Sequence, residues 1–176
     1  ALPICQAGTP RLAARSHYDA EARRYTLSFS QTCPPTPGQA VKEPVVLPVN
    51  LGLVAADGRE LPLQIAGEEA ASPGTRTLVL TQAEESFTFE NIDAEPVPSI
   101  LRGFSAPVVL DFDFGDGQLL TLLAHDTDPF NRWEAAQRLA LRAAVKAIVD
   151  PASVAGLPVL SEAFISAMRD VLRHPQ

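Results

Sequence analysis

Several features that would assign a chemistry directly are scarce in this sequence of 176 residues. Its 2 cysteines are too few for a disulfide framework, and its 3 histidines form no HExxH zinc motif. Lysine and arginine number 14 against 21 acidic residues, and the resulting net charge of −7 disfavours nucleic-acid partners. No apolar run reaches the roughly 18 residues that a membrane-spanning helix needs, so no membrane partner is expected.

The two cysteines, Cys5 and Cys33, are expected to be free thiols in a reducing compartment, which indicates a cytoplasmic protein. The N-terminal segment 1–12 lacks a basic region followed by an apolar core, so it does not look like a signal peptide. It begins without methionine and enters a strand-like segment at once. We therefore expect an excised piece of a longer chain, although a processed terminus would look the same.

The first 115 residues carry patterns that are typical of β-strands. Apolar and polar residues alternate in several segments, which puts the apolar set of each on one face. The three clearest sets are Tyr25, Leu27 and Phe29; Leu47, Val49, Leu51 and Leu53; and Val108, Leu110, Phe112 and Phe114. Two further short strands are expected at 76–81 and 86–89, and Asp57-Gly58 predicts a tight turn. We predict an Ig-like antiparallel β-sandwich over residues 1–115.

From residue 116 the apolar residues recur every three or four positions, which is the spacing of a helix, so a short all-α segment is predicted over residues 116–176. Asp116 is expected to cap a first helix. Asp128-Pro129 should start the second, with aspartate as N-cap and proline at the first helical position. Ser161 should cap a third helix. The apolar face predicted for the second helix consists of Trp133, Ala136, Gln137, Ala140, Leu141, Ala144, Val145 and Ile148.

The residues that could carry chemistry do not form a recognisable catalytic set. Asp111 and Asp113 alternate with apolar residues, which favours a solvated strand face over an acid–base pair. His125-Asp126 could bind a metal or exchange protons, but no other histidine lies near it in sequence, so a polar helix end is favoured. Cys33 has no basic neighbour in sequence that would stabilise a thiolate. No catalytic, cofactor-binding or metal-binding residue is assigned.

Several segments resemble, in the same order, those of one enzyme family. The segment FNRWEAAQ at 130–137 is similar to the F-(N/S)-R-W-(E/D)-A-x-Q segment of bacterial aminopeptidase N, a gluzincin-type zinc metallopeptidase. Further segments that agree are QAGTP (6–10), YTLSFSQTCPPTPGQ (25–39), TQAEESFTF (81–89), EPVPSILRGFSAPV (95–108) and HDTDPFNRW (125–133). The chain departs from the family pattern at Ile4-Cys5, where an aromatic pair is expected, and at Cys33.

The resemblance implies a position within a parent enzyme. Residues 1–115 would be its Ig-like domain, and residues 116–176 would be the first helices of its C-terminal helical domain. The family's zinc ligands lie upstream of this region, so zinc belongs to the parent and no cofactor is expected in this chain. The implied interdomain packing residues are Phe130, Arg132 and Trp133. The implied partners are the catalytic and C-terminal helical domains of the same parent chain.

Two functions are open at this point. The first is a non-catalytic structural, interdomain fragment of a zinc aminopeptidase whose parent removes N-terminal amino acids from peptides. The alternative is a free-standing Ig-like protein-binding module, for which the proline-rich loop 34–38 would be the supporting feature. In a truncated chain, the apolar residues Leu139, Leu141, Val145 and Ile148 should either fold back on the sandwich or mediate self-association.

Overall fold

The structure, a computed structural model, describes residues 6–154 and 160–173 of the chain. The strands are β1 (Arg11–Asp19), β2 (Arg24–Thr32), β3 (Leu47–Val54), β4 (Arg76–Leu80), β5 (Glu84–Phe89), β6 (Val97–Ile100) and β7 (Val109–Asp111). The helices are α1 (Asp116–His125), α2 (Pro129–Val149) and α3 (Glu162–Arg173), with 3-10 turns at Arg102–Phe104 and Pro151–Val154. Cys33 is a free thiol. Cys5 lies outside the described residues, so the state of its thiol stays a prediction.

The strands form two sheets, with orders β5-β2-β1-β7 and β4-β3-β6, whose apolar faces enclose the main core. The predicted alternation is confirmed in β2 and β3, where the inward side chains are buried and the outward ones of β2 are polar. The buried set of these two strands consists of Tyr25, Leu27, Phe29, Leu47, Val49, Leu51 and Leu53. The result is a β-sandwich followed by helices, as the patterns predict.

The pairing of β7 differs from the predicted antiparallel arrangement. β7 runs parallel to β1, with Leu12 opposite Leu110, and the Val109 N–H donates to the Pro10 carbonyl at 2.9 Å. The other strand pairs are antiparallel. The chain reaches β7 from β6, which belongs to the other sheet. It therefore crosses between the sheets, and β7 runs in the same direction as β1. A crossover of this kind permits parallel pairing, which a tight hairpin does not.

The strand predicted over residues 108–114 is only partly formed, because β7 ends at Asp111. Phe112 and Phe114 are nevertheless buried, and their ring centroids lie 4.4 Å apart. The guanidinium carbon of Arg138 in α2 lies 5.6 Å from the centroid of the Phe114 ring. The alternation of burial therefore continues beyond the strand because α2, rather than a neighbouring strand, covers these rings.

Strand β6 is not indicated by alternation in the sequence. Pro96 precedes it and Pro98 lies within it, and proline cannot donate to a sheet ladder. β6 pairs with β3 alone and so forms an edge of its sheet, where proline is tolerated. The Asp57-Gly58 turn does form as predicted. Gly58 has φ +88°, and its N–H donates to the Ala55 carbonyl at 2.9 Å.

Helix α1 packs against α2, α3 and strands β3 and β6, so it fills the space between the sandwich and the other helices. The predicted cap by Asp116 is wrong. The residue before the helix is Gly115, whose N–H donates to Gln118 Oε1 at 3.0 Å. Asp116 is the first helical residue and accepts a hydrogen bond from Arg142 Nη1 at 2.8 Å. Its carboxylate is thus used to tie α1 to α2 rather than to close the N-terminus of its own helix.

The apolar face predicted for α2 is largely the solvent-exposed one. Leu141 is 65% exposed and Ile148 77%, whereas the buried residues of α2 are Ala135 and Leu139. The inward side also carries Arg142, whose Nη1 donates to the Phe114 carbonyl at 2.8 Å. The prediction of the buried face is wrong because arginines take part in the contacts between α2 and the sandwich. Among the described helices, none is long and apolar enough to cross a membrane.

Candidate functional site at the junction of sandwich and helices

The junction between the sandwich and the helices is built around Arg102, a charged side chain with only 3% of its surface exposed. Its Nε donates to Ser99 Oγ at 2.8 Å, and its Nη2 donates to Asp126 Oδ1 at 2.9 Å. Its Nη1 donates to Glu60 Oε1 at 2.9 Å and to Thr75 Oγ1 at 3.1 Å. One guanidinium thus joins two loops of the sandwich to the segment between α1 and α2. A buried charge needs such partners because its desolvation is costly.

Gly52 of β3 provides the space for this guanidinium. A Cβ at position 52 would lie 2.1 Å from Arg102 Cζ, well inside van der Waals contact. The glycine is therefore required here for close approach and not for an unusual backbone conformation. The neighbouring turn makes a second close contact of this kind, since a Cβ on Gly58 would lie 2.6 Å from His125 Nδ1. Two sandwich glycines thus accommodate the side chains of Arg102 and His125 at the junction.

The two carboxylates that share Arg102 have different environments. Asp126 is 1% exposed, and burial raises its pKa, although the Ser99 hydroxyl, the Asp128 N–H and Arg102 act in the opposite direction. Its Oδ2 has no hydrogen-bond partner among the described residues. Glu60 is closer to solvent. The Thr127 hydroxyl, at 2.7 Å, lowers its pKa most, and Arg102 adds to that effect against the opposing effect of burial.

The start of α2 is fixed to the sandwich by two further side chains. Asp128 is the N-cap, as predicted, and its Oδ1 accepts from the N–H groups of Phe130 and Asn131. Its Oδ2 accepts from the Gly103 N–H at 2.8 Å, so the same carboxylate also holds the 3-10 turn of the sandwich. Asn131 Nδ2 donates to Ser99 Oγ at 2.8 Å and to the Ile100 carbonyl at 3.1 Å. These bonds fix both the position and the direction of the helix.

An aromatic row lies at the edge of the junction. Phe104 and Phe130 have ring centroids 3.4 Å apart, and Phe130 and Trp133 have centroids 5.4 Å apart. Phe104 is 66% exposed and Trp133 is 54% exposed. Phe104 has φ +54° and Leu101 has φ +63°, a left-handed conformation that is unfavourable for side chains of this size. The turn is therefore held in place by its tertiary contacts, including the bond from Gly103 to Asp128.

The three residues predicted from the resemblance lie close together at this junction. Phe130 contacts the sandwich through Phe104, and Arg132 Nε donates to the Leu123 carbonyl of α1 at 3.2 Å. Trp133 lies beside Phe130 and faces a groove between the helices. Their interdomain role stays a prediction, because these positions alone do not test it. Sequence reasoning missed Arg102 and Glu60, and no local motif marks either residue.

The described residues contain no group of three or more His, Cys, Asp or Glu side chains that could hold a metal ion. The two side chains of the candidate pair His125-Asp126 have different partners. His125 packs on Gly58, and Asp126 pairs with Arg102. The donor set for zinc is therefore not supplied by the part of the chain that the structure describes. What this region can do is hold two structural units in one relative orientation.

Two family models match successive parts of the chain. Residues 8–113 match the family described as "Domain of unknown function (DUF3458) Ig-like fold". Residues 116–176 match "Domain of unknown function (DUF3458_C) ARM repeats". The sandwich is therefore an Ig-like domain, and the helices that follow it belong to a second, helical family.

Curated relatives and solved structures carry aminopeptidase names. The chain is 42% identical over 134 residues to aminopeptidase N of Escherichia coli, covering 76% of this chain and 15% of that protein. It is 35% identical over 169 residues to aminopeptidase N of Haemophilus influenzae, covering 96% and 19%. A crystal structure of Legionella pneumophila aminopeptidase A in complex with aspartic acid matches with a TM-score of 0.72 at 27% identity, covering 96% of this chain and 17% of that one.

The chain thus spans less than a fifth of the length of these curated relatives. The matches to both domain families, the curated relatives and the solved structure all agree. The chain belongs to the M1 aminopeptidase family, of which it represents the Ig-like domain and a helical segment that follows it.

Proposed function

We propose that this member of the M1 aminopeptidase family is a non-catalytic interdomain element of a bacterial, cytoplasmic zinc aminopeptidase. In the parent enzyme, it would hold the helical domain in a fixed orientation relative to the catalytic domain that removes N-terminal residues from peptides. Its partners would be those two domains of the same parent chain. The observation that carries the proposal is the buried Arg102 cluster, which joins the sandwich to the start of the helices.

The chemistry of the junction suits a positioning role. A buried ion pair contributes little net stability, but the protein loses several kcal/mol when one partner is removed. The Arg102 pairs would therefore favour the one arrangement of the junction in which all partners meet. Here the cluster is joined by the Asp128 and Asn131 hydrogen bonds, which act on the same helix start. Hydrogen bonds depend on direction, so the bonds that converge on the start of α2 would favour one tilt of this helix.

The described side chains do not fit a zinc site, and the sequence contains no HExxH motif. We therefore assign no catalytic step to this chain. Zinc, the ligands that hold it and the groups that act on the peptide would be contributed by other parts of the parent. Phe130, Arg132 and Trp133 would act in packing at the junction and not in binding the substrate.

The proposal is tested first on the purified chain. We expect no stoichiometric zinc by atomic absorption and no cleavage of aminoacyl-nitroanilides. Peptidase activity that persists through successive purification steps, in proportion to this chain, would overturn the proposal. The reading frame provides a second test, because an HExxH motif encoded upstream of Ala1 is expected. A start codon immediately before Ala1 would instead favour the free-standing Ig-like binding module.

The positioning role is tested in the parent enzyme. Arg102→Met should lower kcat/KM at unchanged zinc content, because the helical domain loses its fixed orientation while the metal site is untouched. Arg24→Met is the matched control, since Arg24 forms an exposed ion pair with Glu90 at 3.0 Å on the sandwich surface. Equal activity of the two variants, both folded, would contradict a positioning role for the junction.

A further inference from the structure

The segment by which the chain enters the sandwich is held by the loop that follows β2. Gln6 and the backbone of Glu43 exchange two hydrogen bonds, from Gln6 Nε2 to the carbonyl and from the N–H to Gln6 Oε1, each at 2.8 Å. The Ala7 N–H donates to Gln39 Oε1 at 2.7 Å. Residues 6–8, the entry segment, therefore have a defined position although they precede β1.

Lys42 is the centre of these contacts. Its ammonium group donates to the Ala7 carbonyl at 2.8 Å, to Thr36 Oγ1 at 2.7 Å and to Gln39 Oε1 at 2.9 Å. An ammonium group has three N–H donors, so all of them are used, and the three acceptors are uncharged oxygens. Fixing a lysine side chain costs conformational entropy, and charge-assisted hydrogen bonds offset that cost. Lys42 thus joins the entry segment to the loop at one point.

The loop is shaped to present these acceptors. Thr36 and Gln39 exchange two backbone hydrogen bonds, at 3.1 and 2.9 Å, so the proline-rich loop 34–38 closes into a tight turn. Gly8 of the entry segment packs on this turn. It has φ +98°, and a Cβ there would lie 3.2 Å from Cys33 Sγ. The polar side chains of the turn are used within the chain, which supports an anchoring role for the loop rather than partner binding.

We propose that Lys42 is a positioning residue, which fixes the direction in which the upstream part of the parent enters the sandwich. The inference rests on the proposed function, in which the catalytic domain precedes this chain. Lys42 lies before the start of β3, whereas Gly52, which contacts Arg102, lies near its end. The Arg102 cluster would fix the helical domain, and Lys42 would fix the catalytic domain. The relative orientation of the two outer domains would then depend on both.

The two lysines of the chain, Lys42 and Lys146, provide an internal comparison. Lys146 is exposed on α2, whereas the donors of Lys42 are occupied. In the folded 176-residue chain, N-hydroxysuccinimide acetate should acetylate Lys42 at least about tenfold more slowly than Lys146, because the amine must first leave its three acceptors. Peptide mass spectrometry measures both rates. Equal rates in the folded chain would overturn the proposal, and so would a difference that persists in urea, since it would come from the local sequence.

The positioning role is measured in the parent enzyme by double electron–electron resonance. One spin label replaces Ala20, in the exposed turn between β1 and β2, and the second lies on the catalytic domain. Both are introduced as unnatural amino acids, so that Cys33 keeps its contact with the Ala7 carbonyl. In Lys42→Met, the distribution of distances between the labels should broaden by several ångströms, because the entry segment would become a flexible linker. Lys146→Met, the matched control, should leave it unchanged.

A second pair of labels, on the sandwich and the helical domain, separates positioning from a general loss of folding. The distances of this pair should stay unchanged in Lys42→Met and broaden in Arg102→Met. An unchanged distribution towards the catalytic domain in Lys42→Met would overturn the proposal. Broadening of both distributions in that variant would also overturn it, since Lys42 would then act through the whole sandwich. Zinc content, peptidase activity and the kinetics of Arg102→Met test the proposed function separately, so the failure of one can be told from the failure of the other.

Discussion

The guanidinium of Arg102 and the backbone of Gly52 lie so close together that a Cβ at position 52 would come within 2.1 Å of Cζ and 2.4 Å of both terminal nitrogens. Gly52 lies in β3, where it pairs with Ser99 of β6 and directly follows Leu51, which pairs with both β4 and β6. Arg102 is fixed by Ser99, Glu60 and Asp126. Arg102 could move away from Gly52 only by losing these hydrogen bonds.

Gly52→Ala should therefore destabilise the protein strongly. The added methyl group would have to displace a buried, fully bonded guanidinium, and we expect a loss of about 3 kcal/mol in the free energy of unfolding. Urea unfolding followed by circular dichroism measures it. Gly117→Ala in α1 is the control, because nothing lies within 4 Å of a Cβ there. It should change stability by less than about 1 kcal/mol, in the stabilising direction, since alanine favours helix. Equal losses in the two variants would contradict this account of Gly52.

A second prediction concerns the buried charge of Arg102 itself. Arg102→Met would leave Asp126 and Glu60 without their cation, and the unpaired Asp126 carboxylate is buried. We expect a loss of about 3–5 kcal/mol in the free energy of unfolding, as is usual when one partner of a buried pair is deleted. Arg24→Met, in the exposed pair with Glu90, should cost less than about 1 kcal/mol. A similar loss for both would show that Arg102 is not the centre of the junction.

The parts of this structure that are encoded locally could be predicted from the sequence, and the junction could not. Alternation shows the faces of β2, and Asp128-Pro129 marks the start of α2, because both signals involve adjacent residues. The partners of Arg102 are separated from it by 42 and 24 residues, for Glu60 and Asp126, so no local pattern connects them.

The buried face of α2 differs from the face predicted from the apolar residues for a related reason. Its contacts with the end of the sandwich involve Arg138 and Arg142, which bind the carbonyls of Phe112 and Phe114. Arginine is expected on the outward face of a helix, although its long aliphatic stem can pack over apolar surface while its head binds a carbonyl. The apolar residues on the other side, such as Leu141 and Ile148, are the exposed ones.

Asp128 has a double role as helix cap and as acceptor for the Gly103 N–H, and the two roles can be separated. Asp128→Ala should cost about 1–2 kcal/mol, because the N–H groups of Phe130 and Asn131 lose their acceptor. Asp128→Asn should cost less than half as much, since asparagine caps helices about as well as aspartate. Urea denaturation gives both values, and amide exchange at Phe130 and Asn131 localises the effect. If the asparagine variant were as unstable as the alanine variant, capping would not be the main contribution.

The lowered pKa of Glu60 makes the stability of the junction depend on pH in a defined direction. The Thr127 hydroxyl and Arg102 stabilise the ionised carboxylate of Glu60, so its pKa in the folded protein lies below the ordinary value of 4.5. Its contribution is fully present above pH 4.5 and is lost as the pH falls through the folded pKa, because the unfolded chain takes up the proton first. Asp126 acts in the opposite sense, since burial raises its pKa.

Glu60→Gln should therefore be less stable than the unsubstituted chain at pH 7. The difference should shrink as the pH falls from 4.5 through the folded pKa, below which Glu60 is neutral in both the folded and the unfolded state. Asp126 is present in both proteins, so its opposing effect largely cancels in the comparison. The melting temperature measured from pH 3 to pH 7 gives the difference directly. Glu21→Gln, in the exposed turn between β1 and β2, serves as control, and its melting temperature should equal that of the unsubstituted chain over this pH range. A constant difference for Glu60→Gln over this range would show that the junction depends on the shape of this side chain and not on its charge.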